Sequence, residues 1–146
     1  MLSKLRTRMA REESGFTLIE LLVVMLILGI LAAIAIPAFL NQREKGQDAD
    51  AKAGVRTVET AMETYATDFD GDYTNSKATL EGIEGAVNDI DDADLTLTVP
   101  GPDLENAEYL ITVDSESGQT FSLGRAADGA KTRSCTGGGG CVSGSW

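Results

Sequence analysis

Residues 21–42 read LLVVMLILGILAAIAIPAFLNQ, twenty-two consecutive positions without a charged side chain. At about 1.5 Å of rise per helical residue, such a run spans a hydrocarbon layer of about 30 Å, so it reads as a membrane-inserted helix. Charges divide around it. Lys4, Arg6, Arg8 and Arg11 outweigh Glu12 and Glu13 by +2 before the run, whereas 8 basic and 20 acidic residues from residue 43 onward give −12. By the positive-inside rule the N-terminus stays cytoplasmic and the acidic bulk is exported.

The 146 residues suit one globular core of ordinary size beside that run. A net charge of −11 disfavours nonspecific nucleic-acid binding, and the lack of histidine removes His-dependent triads and most zinc sites. No Gly-rich phosphate loop opens a helix, the glycine run at residues 137–140 lies between two cysteines, and no carboxylate pair stands apart from the other acids. The composition points away from an enzyme and calls for no cofactor.

Three parts follow in chain order. Residues 1–15 are short, basic and without periodicity. From residue 16 to about 69 the pattern predicts one long helix. Past the apolar run, Ala51, Val55, Val58, Met62, Tyr65 and Phe69 recur at spacings of 4, 3, 4, 3 and 4, an apolar stripe on an otherwise polar helix that needs a partner surface. Pro37 removes an internal hydrogen bond and, with Gly29, Gly46 and Gly54, predicts a bend or a locally melted stretch. Asp70-Gly71-Asp72 ends the helix, and a Gly- and Asp-rich connector runs to about Asp94. Short β-favouring runs follow at residues 95–99 (LTLTV), 109–113 (YLITV) and 120–123 (TFSL), the last two joined as a hairpin across residues 114–118. Three or four antiparallel strands laid on the stripe make an α+β fold, a long N-terminal helix packed on a small antiparallel sheet. The terminal CTGGGGCVSGSW reads as loop.

The junction Gly15-Phe16-Thr17-Leu18-Ile19-Glu20, with basic residues before it and the uncharged run directly after, resembles the prepilin signature of type IV pilins and of the pseudopilins of type II secretion. The likeness is dense over residues 14–40 and extends to about Tyr73. It implies that a membrane peptidase cuts after Gly15 on the cytoplasmic side and methylates the new N-terminal residue, Phe16. It further implies that Glu20 is the membrane-embedded carboxylate used in assembly. The division it implies is a leader peptide at 1–15, a transmembrane and filament-core helix at 16–42, and an exported head at 43–146. Implied partners are further copies of the chain in a helical homopolymer, the prepilin peptidase/methyltransferase, an assembly ATPase with its membrane platform protein, and membrane lipid before assembly. The precursor is then a single-pass membrane protein, and the assembled form an extracellular type IV pilus. The alternative is the short filament of a major pseudopilin in a type II secretion or DNA-uptake machine.

Two plainer readings stand beside it, a secretory signal peptide cleaved after Ala33-Ile34-Ala35 and a simple single-pass anchor. Neither requires a Gly-Phe pair ahead of a lone acid. An ionisable residue in an apolar helix costs on the order of 3 kcal/mol at the membrane centre and asks for a partner, which the Phe16 amine supplies after the implied cleavage. Cys135 and Cys141 are expected to be bridged, since an exported head favours disulfides and two thiols without histidine make a poor zinc set. The resemblance adds that many pilins carry a C-terminal disulfide loop. Asp68, Asp70 and Asp72 are calcium candidates by charge and alternation, with the acidic residues of 88–94 (NDIDDAD) nearby in sequence. Gly71 stands fourth rather than sixth and no glutamate stands twelfth, which favours a helix-ending turn.

Overall fold

The computed structural model describes residues 15–99, 109–138 and 140–146, so most of the leader-like segment lies outside the described residues. The chain divides into two compact units, Met1–Leu40 and Asn41–Trp146. The elements in order are α1 (Leu18–Asp68), α2 (Lys77–Ile83), a 3-10 turn (Gly85–Asp89), β1 (Leu95–Thr98), β2 (Tyr109–Asp114), β3 (Thr120–Arg125) and β4 (Lys131–Thr136).

In the first unit, α1 carries its apolar side chains outward. Leu18, Ile19, Leu22, Ile27, Ile34 and Phe39 are all more than half exposed. Among the described residues this is the one helix long and apolar enough to cross a membrane, and none of its apolar window is buried. The expectation of a melted stretch at Pro37 is corrected, because α1 is helical without interruption through it. One proline deletes one backbone donor, and the flanking Ala, Ile and Leu residues keep the neighbouring turns helical.

In the second unit, the rest of α1 turns one face inward. Ala51, Val55, Val58 and Met62 are buried as their spacing predicts, joined by Ala61 and Ala66. The end of the stripe departs from the prediction. Asp70 (φ 53°) and Gly71 (φ 96°) adopt the left-handed conformation, and Gly71 N–H donates to Ala66 O at 2.8 Å, so the helix closes at Asp68. Phe69 therefore leaves the stripe, 51% exposed, and stacks on Tyr65 at 4.2 Å between ring centroids.

The four strands form an antiparallel meander in the order β1-β2-β3-β4. Tyr109, Ile111 and Val113 of β2 and Phe121 and Leu123 of β3 alternate inward onto the helix stripe, and Leu80 of α2 and Val87 of the 3-10 turn complete the core. Gly54 marks a close approach, since a Cβ there would stand 3.3 Å from Ile90 Cδ1. Two features depart from the sequence reading. The connector before Asp94 is not irregular but contains α2 and the 3-10 turn, with Ser76 Oγ accepting from Thr79 N–H at 3.4 Å as the N-cap. The tail is not all loop, because β4 takes in Cys135 and Thr136 and pairs Cys135 with Phe121.

Cys135 and Cys141 form the expected disulfide. In the chain-entropy account such a short loop contributes about 2 kcal/mol. A buried carboxylate ties this loop to the helix. Asp48 is 1% exposed. Its Oδ1 accepts from Ser115 Oγ (3.0 Å) and Ser117 Oγ (2.5 Å), and its Oδ2 from Gly140 N–H (2.8 Å). Lys52, one turn on, donates to Gly140 O at 2.6 Å. At the other end of the stripe, Glu63 accepts from Arg125 (2.5 Å) and from the Tyr109 hydroxyl (2.9 Å), and Lys131 bridges Glu59 (2.7 Å) and Glu63 (3.2 Å).

Burial works to raise the Asp48 pKa, but the donations from Ser117, Gly140 and Ser115 and the Lys52 charge prevail and hold it below the ordinary range. Burial is likewise outweighed at Glu63 by Arg125, Tyr109 and Lys131. Both folded pKa values lie below their unfolded ones, so this stability is present above about pH 4 and is lost as pH falls through the folded values. Acid unfolding of the head, followed by the fluorescence of Trp146, should therefore begin below about pH 4. Asp48→Asn should destabilise the head at neutral pH by roughly 1–3 kcal/mol and make its acid transition shallower. An unchanged transition would remove Asp48 from the account.

Candidate functional site

The N-terminal turn of α1 is built by three hydrogen bonds between two side chains and their backbones. Thr17 precedes the first helical residue and stands at the N-cap position. Its N–H and its Oγ1 both donate to Glu20 Oε2, at 2.9 and 2.8 Å, and Glu20 N–H donates back to Thr17 Oγ1 at 3.2 Å. This reciprocal arrangement is a capping box, which satisfies helix N–H groups that have no partner within the helix. A carboxylate in this place also meets the positive end of the helix dipole.

Gly15 and Phe16 thus precede the first turn of α1, which holds Glu20. Both lie outside the helix and are exposed, Phe16 at 87%. A Cβ on Gly15 would meet no described atom within 4 Å. Among the described residues nothing asks for glycine there. Glu20 is held by Thr17, a residue the sequence reading passed over. The signal was present as the spacing Thr17-Leu18-Ile19-Glu20, a T-x-x-E box directly before an apolar run. The backbone nitrogen of Phe16 is an amide in the intact chain, one residue before the Thr17 nitrogen that bonds the carboxylate.

Asp68, Asp70 and Asp72 stand at the other end of α1. Among the described residues no three His, Cys, Asp or Glu side chains gather as a metal ion would need, and Asp70 with Gly71 makes the turn that ends the helix.

The uncharged, uncovered stretch of α1 headed by a capped carboxylate has the length and composition of a membrane-anchoring helix. Residues 10–36 match the family described as the prokaryotic N-terminal methylation motif. The type IV major fimbrial protein FimA of Dichelobacter nodosus is 33% identical over 121 residues, covering 79% of this chain and 73% of that protein. Core protein G of the type II secretion system of Aeromonas hydrophila is 36% identical over 78 residues, 53% of this chain and 52% of its own length. The type IV major pilin protein PilA of Myxococcus xanthus is 38% identical over 71 residues, 47% of this chain and 32% of that protein. Against the core G relatives the chain thus spans about half their length. No solved structure matches. This chain belongs to the type IV pilin and pseudopilin family.

The capping box makes a local prediction. Thr17→Val deletes the hydroxyl and should cost roughly 1 kcal/mol at the helix end. In detergent micelles, amide exchange should quicken over residues 18–21 and stay unchanged beyond Pro37. Equal exchange in both proteins would show that the box does not hold the turn.

Proposed function

We propose that this chain is the structural, non-enzymatic subunit of a type IV pilus, stored in the membrane with its N-terminus cytoplasmic and its head exported. The observation that carries the reading is the contrast at the head of α1, where a carboxylate sits at the mouth of an otherwise uncharged and uncovered helix. In this reading a prepilin peptidase cuts after Gly15 and methylates Phe16, and an assembly ATPase with its platform protein polymerises the product. The open space around Gly15 supports the first step, because a demand for glycine that the fold does not make is met by an enzyme drawing the backbone into its site. The major-pseudopilin alternative shares every one of these residues. The likeness to FimA covers 79% of this chain, whereas that to the core G relatives covers about half, and this favours the pilus.

Glu20 then has a role in register. In lipid, the Thr17 box keeps the carboxylate occupied. Between packed helices, the ammonium freed at Phe16 of one subunit meets Glu20 of its neighbour, and an axial offset leaves two buried charges unpaired at a cost of several kcal/mol. Glu20→Ala makes the helix more apolar, so a purely hydrophobic assembly would tolerate or prefer it. Pairing predicts the opposite sign. Both Glu20→Ala and Glu20→Gln should insert and be processed yet yield few or no filaments on shearing, while Val24→Ala, one turn deeper, keeps near-normal yield. Wild-type filament numbers from Glu20→Ala would defeat the pairing mechanism.

A further inference from the structure

Apart from Arg43 and Lys45, which lie on α1 at the start of the head, the basic side chains of the head fall into two kinds. Lys52, Lys77, Arg125 and Lys131 each donate to an oxygen within the head, on Gly140, Asp92, Glu63 and Glu59 respectively. Arg56 and Arg133 do not. In a chain with 23 acidic residues, neither has a carboxylate within salt-bridge distance among the described residues. Both are exposed, and both guanidiniums face the ring of Trp146, at 5.4 and 5.2 Å from its centroid. That ring is fixed by its indole N–H on Ser122 O (3.2 Å) and by edge contact with Phe121 (6.1 Å). Two like charges are thus held together on one aromatic ring at the β4 side of the head, with no carboxylate joining them among the described residues. A guanidinium that stacks through its face keeps its N–H fork free for a carboxylate.

The opposite side of the head has the opposite sign. Asp50, Asp89, Asp91, Asp94, Asp114 and Glu116 line a groove of about 210 Å³ near the start of β1 and the end of β2, and none of them is in an ion pair among the described residues. Helix α1 separates the two surfaces. Gly54 looks toward Ile90 and Val113 on the acidic side, while Lys52 and Glu59 reach Gly140 and Lys131 on the basic side.

We propose that the surface of Arg56, Trp146 and Arg133 receives the acidic edge of a second copy of this chain, joining neighbouring heads along the filament. The inference rests on the filament reading above. A contact between two different surfaces is heterologous, so it does not close a dimer, and it propagates as a helical polymer requires. The large negative charge of the head makes mutual approach repulsive in general, and an approach that sets Arg56 and Arg133 against the acidic groove is attractive. Anchoring through α1 holds neighbouring heads at high effective concentration, so a contact too weak for free subunits suffices. A nucleic acid is the competing occupant, and the same negative charge opposes it.

The test uses the full chain and filaments recovered by shearing. Arg133→Glu, and separately the pair Asp50→Arg with Asp89→Arg, should each lower filament yield roughly threefold to tenfold with processed subunit in the membrane unchanged. Asp50 and Asp89 make no side-chain bond among the described residues, so their reversal spares the fold. All three reversals together should restore roughly half or more of the wild-type yield. Trp146 fluorescence reports folding of each head, and Arg133→Gln, expected to show a smaller loss, replaces Arg133→Glu if that head does not fold. Wild-type yield from both single-sided reversals overturns the contact, as does a folded triple variant that recovers nothing. Filaments of unchanged yield that lose only DNA retention in Arg133→Glu assign the surface to nucleic acid instead. If the wild-type chain makes no filament, the filament reading fails and this contact with it. Wild-type filaments indifferent to the reversals defeat this contact alone.

Discussion

The side chains of residues 18–40 are turned outward along α1 with nothing over them, and water is a poor solvent for such a surface. Because a helix satisfies its backbone groups internally, lipid and a packed bundle of like helices are both acceptable alternatives. The chain can therefore pass from one to the other without a large hydrophobic change in either direction. What distinguishes the two surroundings must be polar, and Glu20 is the single charge in that stretch. Its capping box gives it a partner while the chain is intact. In the proposed assembly, cleavage would free the Phe16 amine as a second partner, and competition between the two is what that assembly turns on.

Beyond residue 41 the same helix serves a different end. Its buried stripe of Ala51, Val55, Val58 and Met62 fills the space over β2 and β3, and two carboxylates fasten it at either end. Asp48 holds the disulfide loop and the β2–β3 turn, whereas Glu63 gathers Arg125, Tyr109 and Lys131. Neither set involves the apolar run. The head's stability is thus set by contacts of its own, and acid or substitution at Asp48 acts on the head without removing what anchors α1.

Much of this was legible in the sequence because it rests on periodicity or on backbone-restricting residues. The uncharged run, the 3.6-residue stripe to Met62, the Asp70-Gly71 stop and three alternating strands all have such signals. What was missed lacks them. Strand β4 reads KTRSCT, an edge strand with both faces largely exposed, so no apolar alternation marks it. Helix α2 buries only Leu80, too little for a stripe. Asp48 looks like any surface acid, since its partners, Ser115, Ser117 and Gly140, lie far along the chain and only the tertiary fold brings them to it. Thr17 is the exception, since its T-x-x-E spacing before an apolar run is a local signal for a helix cap.

In the proposed assembled state the apolar helix is kept whole and the chain begins at Phe16. Mass spectrometry of the N-terminal peptide from sheared filaments tests it most directly. The account predicts a chain that begins at Phe16 and carries one added methyl group. A chain that begins after Ala35, or one that still carries Met1 in the filament, would contradict it.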